Sequence, residues 1–185
     1  MRTNHFSAAM RALTGCIGTL ALASAGHAAG DKTAYESARA SAKSTYQAAK
    51  AKCDAFKDNA KDVCVAEAKA ARTRTEEQAE ATYKNTPKAR EHAVHEIAEA
   101  DYKVAKERCD DRTGNDKDVC VKVAKAALVK AQSDAKATRV STDARKDAAK
   151  DKREADYKVA AEKCNAMRGD AKTACVKDAK AKYGM

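Results

Sequence analysis

Apolar and polar positions recur along this chain with a helical period, in three near-copies of one stripe. Tyr46, Ala49 and Cys53 stand at i, i+3 and i+7, as do Tyr102, Ala105 and Cys109, and Tyr157, Ala160 and Cys164. That spacing places each trio on one face of a helix. Five residues after each of these cysteines comes a stop signal: Asp58, Gly114 and Gly169. Glycine there can take the left-handed conformation that ends a helix. The residues that follow, Asn59, Asn115 and Asp170, can cap a new one. Asn59-x-x-Asp62 and Asn115-x-x-Asp118 resemble capping boxes, and Asp170-x-x-Thr173 keeps the cap only. The pattern predicts helices over 32–56, 60–84, 88–112, 116–140, 142–168 and 170–183. Asn85-Thr86-Pro87 holds the only proline and must separate the second helix from the third. Val140-Ser141-Thr142-Asp143 reads either as an N-cap or as a helix interior, so the fourth and fifth helices are separate or fused.

The second cysteine of each copy completes a C-x10-C pair: Cys53/Cys64, Cys109/Cys120 and Cys164/Cys175. The first members lie 56 and 55 residues apart. Each unit therefore reads as helix, tight turn, helix, with a cysteine about one turn from the loop on either side. Antiparallel helices joined in this way bring the two thiols together. A bridge would close a ring of about a dozen residues, worth about 3 kcal/mol in the chain-entropy model. Six cysteines allow 15 connectivities, and the repeat favours pairing within each unit. Free buried thiols or a zinc site are the alternatives. Zinc needs four ligands at closer spacing, and no C-x-x-C occurs.

The N-terminus changes the compartment. Arg2 and Arg11 precede an uncharged apolar run from Ala12 to Ala25, followed by small residues, and the first acid is Asp31. This is the pattern of a cleavable export signal over residues 1–28. The run is too short to span a bilayer, which needs about 20 apolar residues. Leu13-Thr14-Gly15-Cys16 resembles a lipobox, but Arg11 interrupts the apolar segment before it and the best run lies after Cys16. Lipid anchoring through Cys16 is thus disfavoured. Removal of the signal leaves an even six cysteines, as disulfides in an oxidising compartment require. The expectation is a periplasmic or secreted chain with no transmembrane segment. Its units are hairpin repeats at 29–86, 87–140 and 141–185.

Composition limits the core. From Asp31 onward there are 37 alanines but one leucine (Leu128), one isoleucine (Ile97) and one phenylalanine (Phe56). Alanine favours helix but buries little surface. The expected fold class is all-α: an extended array or bundle of three disulfide-stapled antiparallel hairpins, about six helices, with coiled-coil-like alanine packing. Without Arg2 and Arg11 the net charge of +10 falls to about +8.

No catalytic constellation is present in the sequence, and no cofactor is expected. There is no glycine loop to cradle phosphate and no nucleophile elbow. The carboxylates are spread beside lysines at helical spacing. One cluster invites a metal: His92, His95, Glu96 and Glu99 fall at i, i+3, i+4 and i+7. His95 also lies on the Tyr102 stripe, where packing explains it, and the other units have no counterpart. The tyrosines sit on the cysteine stripe, which argues for packing rather than base stacking. The lysines alternate with acids, so specific nucleic-acid binding is not expected. Protein partners, anionic envelope surfaces and self-association are the expected classes of contact.

Tyr-Lys-Val-Ala-Lys-Glu-Arg-Cys-Asp (102–110), Gly-Asn-x-Lys-Asp-Val-Cys (114–120) and Ala-Lys-Ala-Ala (124–127) together resemble a family of small exported proteobacterial Ala/Lys-rich C-x10-C repeat proteins of unknown function. The resemblance runs to the terminal Lys-Ala-Lys-Tyr-Gly. Such proteins are often labelled TolA-like, because the middle of TolA is also an Ala/Lys/Glu/Asp-rich helix. This chain lacks the anchor of TolA, and the cysteine repeat is foreign to it, so no TolA activity carries over. The expected function is that of a non-enzymatic cell-envelope structural or stress-associated protein, acting through helix–helix or electrostatic contacts. A periplasmic metal-binding protein and a hydrophilic helical protectant are the alternatives.

Overall fold

The structure is a computed structural model, and it describes residues 30–185; the expected export signal at 1–28 and Cys16 lie outside them. Five helices follow one another: α1 (Lys32–Cys53), α2 (Asp58–Lys84), α3 (Pro87–Cys109), α4 (Gly114–Cys164) and α5 (Gly169–Tyr183). Among the described residues each helix packs only on its neighbours in sequence: α1 on α2, α2 on α3, α3 on α4, α4 on α5. Neither α1 and α3 nor α1 and α4 meet, so the helices form an open array rather than a closed bundle.

The three disulfides are Cys53–Cys64, Cys109–Cys120 and Cys164–Cys175, with Cα atoms 5.6, 5.7 and 5.7 Å apart. Each staples one hairpin beside its turn, as the repeat predicts. The first cysteine of each pair is fully buried. Apart from these, Val104 and Leu128, every buried apolar residue is an alanine. Packing is confined to seams between adjacent helices, which is all that small side chains can fill.

The turns differ in detail from the sequence expectation. The helices end at Cys53, Cys109 and Cys164, three or four residues earlier than predicted. Tighter bonds then take over: Phe56 N donates to Cys53 O, Arg112 N to Cys109 O and Met167 N to Cys164 O. Asp58, Gly114 and Gly169 do adopt positive φ, at 49°, 55° and 58°. They open the following helix instead of closing the preceding one. The residues ahead of them, Lys57, Thr113 and Arg168, are the N-caps and make no side-chain cap bond. The expected capping roles of Asn59, Asn115 and Asp170 are therefore not realised. In their place Lys61 and Lys117 reach back across the turn to Asp54 and Asp110, each at 2.9 Å.

Fully capped starts occur where the chain begins a hairpin. Asp31 accepts from Thr33 N at 2.8 Å, and Thr86 Oγ1 accepts from Ala89 N at 3.0 Å ahead of Pro87. Asn85 turns the chain between α2 and α3 at φ 45°. Gly30 is pressed against α2: its N–H donates to Tyr83 O at 3.0 Å, and a Cβ there would stand 2.4 Å from Tyr83 Cα. Tyr35 stacks on Tyr83 with ring centroids 4.9 Å apart. The open end of the first hairpin is thereby closed.

The fourth and fifth expected helices are one: α4 runs unbroken for 51 residues. Thr138 and Thr142 bond back to the carbonyls of Asp134 and Thr138, so neither hydroxyl is free to cap. Arg139 pairs with Asp143 across one turn at 3.1 Å. Between the part of α4 that packs on α3 and the part that packs on α5, residues 144–153 are all exposed.

Candidate functional site

The His/Glu cluster lies on the seam of α2 and α3. The Asn85–Pro87 turn folds α3 back antiparallel, which sets the first half of α3 against the last half of α2. His92 Nε2 comes to 3.9 Å from Glu77 Oε2. Glu77 was not among the sequence candidates. Its position opposite the cluster follows from counting outward from the turn, once that pairing is known. Burial raises the Glu77 carboxyl above its ordinary 4.5, and the adjacent His92 opposes the shift only in part. Glu77 Oε2 and His95 Nε2 have no hydrogen-bond partner.

The four predicted candidates do not converge. His92 and Glu99 are exposed, whereas His95 and Glu96 are half-buried in the seam. Among the described residues no group of three or more His, Cys, Asp or Glu is arranged to hold an ion. Nearby Glu80 is held below its usual value by Lys84, which donates to it and is itself pushed up. Across the seam the cluster makes one close approach, His92 to Glu77.

Charged pairs set the rest of that alignment. Arg74 Nη2 lies 2.7 Å from both oxygens of Asp101, and Arg108 Nη2 lies 2.6 Å from Glu67. On the next seam Arg139 bridges Glu91 of α3 and Asp143 of its own helix. Both acceptors raise its pKa further.

The stripe tyrosines are half-buried at the edges of the seams rather than within them. Arg72 lies over the ring of Tyr46 at 5.6 Å from its centroid, and Lys125 over Tyr102 at 5.4 Å. Such pairs contribute about 0.5–1 kcal/mol at exposed sites. A groove of about 520 Å³ runs beside Tyr46 along α1, α2 and α3, floored by Ala66, Ala70 and Ala100 and walled by Arg72 and Lys103. A second apolar groove follows the α3–α4 seam past Ile97, Tyr102, Ala127 and Leu128.

α4 also carries exposed apolar residues. Five of its valines are exposed: Val119, Val123, Val129, Val140 and Val159. None of the described helices is long and apolar enough to cross a membrane.

By fold, then, the molecule is an all-α array of hairpins, each stapled by one disulfide at its turn. No family model, curated protein or solved structure matches the chain.

Proposed function

We propose that this chain is an exported, non-enzymatic protein of the cell envelope, periplasmic in a two-membrane cell, that works through helix–helix and electrostatic contacts. The observation that carries the reading is the open array. Helices that pack only on their chain neighbours leave long faces of charge and alanine available to other helices. Three disulfides are compatible with an oxidising compartment, and the signal pattern at residues 1–28 supplies a route to it. The resemblance to Ala/Lys-rich envelope repeat proteins points the same way.

The array also supports a structural role over that of a desiccation protectant. Protectants of that type are disordered when hydrated, whereas stapled hairpins hold their helices in water. Chemical crosslinking in intact cells, followed by identification of the joined proteins, tests the reading. Envelope proteins or further copies of this chain are expected among the products. Recovery of cytoplasmic partners alone would overturn it.

A further inference from the structure

Residues 99–109 of α3 and 154–164 of α4 are the same segment in successive repeats, Glu-Ala-Asp-Tyr-Lys-Val-Ala-Lys-Glu-Arg-Cys and Glu-Ala-Asp-Tyr-Lys-Val-Ala-Ala-Glu-Lys-Cys, identical at nine of eleven positions. Their surroundings are opposite. In α3 the segment is packed between α2 and α4: Val104 is 8% exposed, and Asp101 takes Arg74 of α2. In α4 the matching Val159 is 56% exposed and Asp156 faces solvent. A face that the second repeat uses for docking is bare in the third.

The complementary face is bare as well. Aligning Cys64 with Cys120 places Val119, Val123, Ala126 and Lys130 of α4 where α2 has Val63, Glu67, Ala70 and Arg74. In α2 this face packs on α3, and Ala70 is buried. In α4 all four residues are exposed. Both halves of a repeat-to-repeat interface therefore lie on one helix. They cannot meet within it: Lys130 and Asp156 stand about 39 Å apart at 1.5 Å per residue.

We propose that α4 pairs antiparallel with α4 of a second copy, rebuilding the α2–α3 interface between chains. The register follows from the existing pair. Arg74 with Asp101 becomes Lys130 with Asp156 of the other copy, and the midpoint of these positions is Asp143. A two-fold axis beside Asp143 makes both halves of the interface at once, as a closed isologous dimer requires. In this register, where opposing positions sum to 286, Lys122 lies within two positions of Glu162, and Lys136 stands opposite Lys150, one position from Asp151. The exposed stretch 144–153 then runs beside Val140 and its neighbours instead of through solvent. α3 and α5 flank the pair as α1 and α4 flank α2 and α3, so the repeat geometry leaves room for it. This inference goes beyond the envelope reading and does not depend on it.

The test uses the oxidised chain, as an equal mixture of unlabelled and nitrogen-15-labelled protein. Light scattering should give twice the chain mass. Zero-length carbodiimide coupling should yield an amide between Lys130 and Asp156 that joins labelled to unlabelled chains. Lys130→Asp should weaken dimerisation at least tenfold, and adding Asp156→Lys should restore it, with helix content unchanged by circular dichroism. A single-chain mass overturns the proposal. So does a Lys130–Asp156 amide confined to one isotope, which would mean that α4 breaks and folds back within its own chain.

Discussion

Arg74 of α2 and Asp101 of α3 are joined at 2.7 Å through both carboxylate oxygens, across the one seam that links the first hairpin to the second. Both side chains are about half exposed. Exposed pairs of this kind contribute about 0.2–1 kcal/mol. A double-mutant cycle with Arg74→Ala and Asp101→Ala should therefore give a coupling below about 1 kcal/mol, falling further in high salt. A larger coupling, unmoved by salt, would show that the pair is more shielded than its exposure indicates.

The staples should matter more. Replacing Cys109 and Cys120 together by serine releases the turn between α3 and α4, and unfolding by urea should show a loss of about 3 kcal/mol. Digestion without reduction should release Cys53 joined to Cys64, Cys109 to Cys120 and Cys164 to Cys175. Any link between units, such as Cys53 to Cys109, would be inconsistent with the hairpins.

Asp58 holds a left-handed conformation that its counterparts Gly114 and Gly169 hold without a side chain. Asp58→Gly should stabilise the first turn by about 0.5–1 kcal/mol, since a left-handed residue with a Cβ costs about 1–2 kcal/mol and glycine returns part of this as chain entropy. Gly114→Ala should cost about 1 kcal/mol for the same reason, because nothing lies within 4 Å of its added Cβ. Thermal melts of the two variants should shift in opposite directions.

Glu77 carries a pH dependence. Its folded pKa is raised by burial, so folding favours its protonated form. That contribution is fully present below the unfolded value near 4.5 and is lost as pH rises through the higher folded value. Glu77→Gln should remove the loss. The variant should melt above the wild type at pH 7, and the difference should shrink towards pH 4.

Zinc should not discriminate the histidine cluster. His92→Ala/His95→Ala and the wild type should give equal heats in isothermal titration, because the four candidate donors divide between solvent and the seam. A saturable heat lost in the variant would restore the metal reading.

The reading of the cysteine stripe anticipated the hairpins because both signals are local. A helical period and a ten-residue gap leave few ways to connect two thiols. The caps depart from the sequence expectation for a local reason too. Asn59 and Asn115 have the right chemistry at the right spacing. However, the preceding helices stop at the cysteines, and the left-handed residue then starts the next helix one position ahead of them. The metal candidates shared a helix face by count alone. Their separation into exposed and half-buried groups required the packing of α2 on α3, and so did the appearance of Glu77 beside His92.

The amino-acid order by itself determined three helix-turn-helix units, their disulfides, and a core made almost wholly of alanine. These follow from periodicity, turn residues and side-chain volume within a few dozen positions. Only the tertiary structure decided that Val140–Asp143 stays helical, that the array remains open, and that matching faces are filled in one repeat and bare in the next. Those outcomes depend on which helix arrives on which face, and near-identical segments such as 99–109 and 154–164 do not encode that difference by themselves.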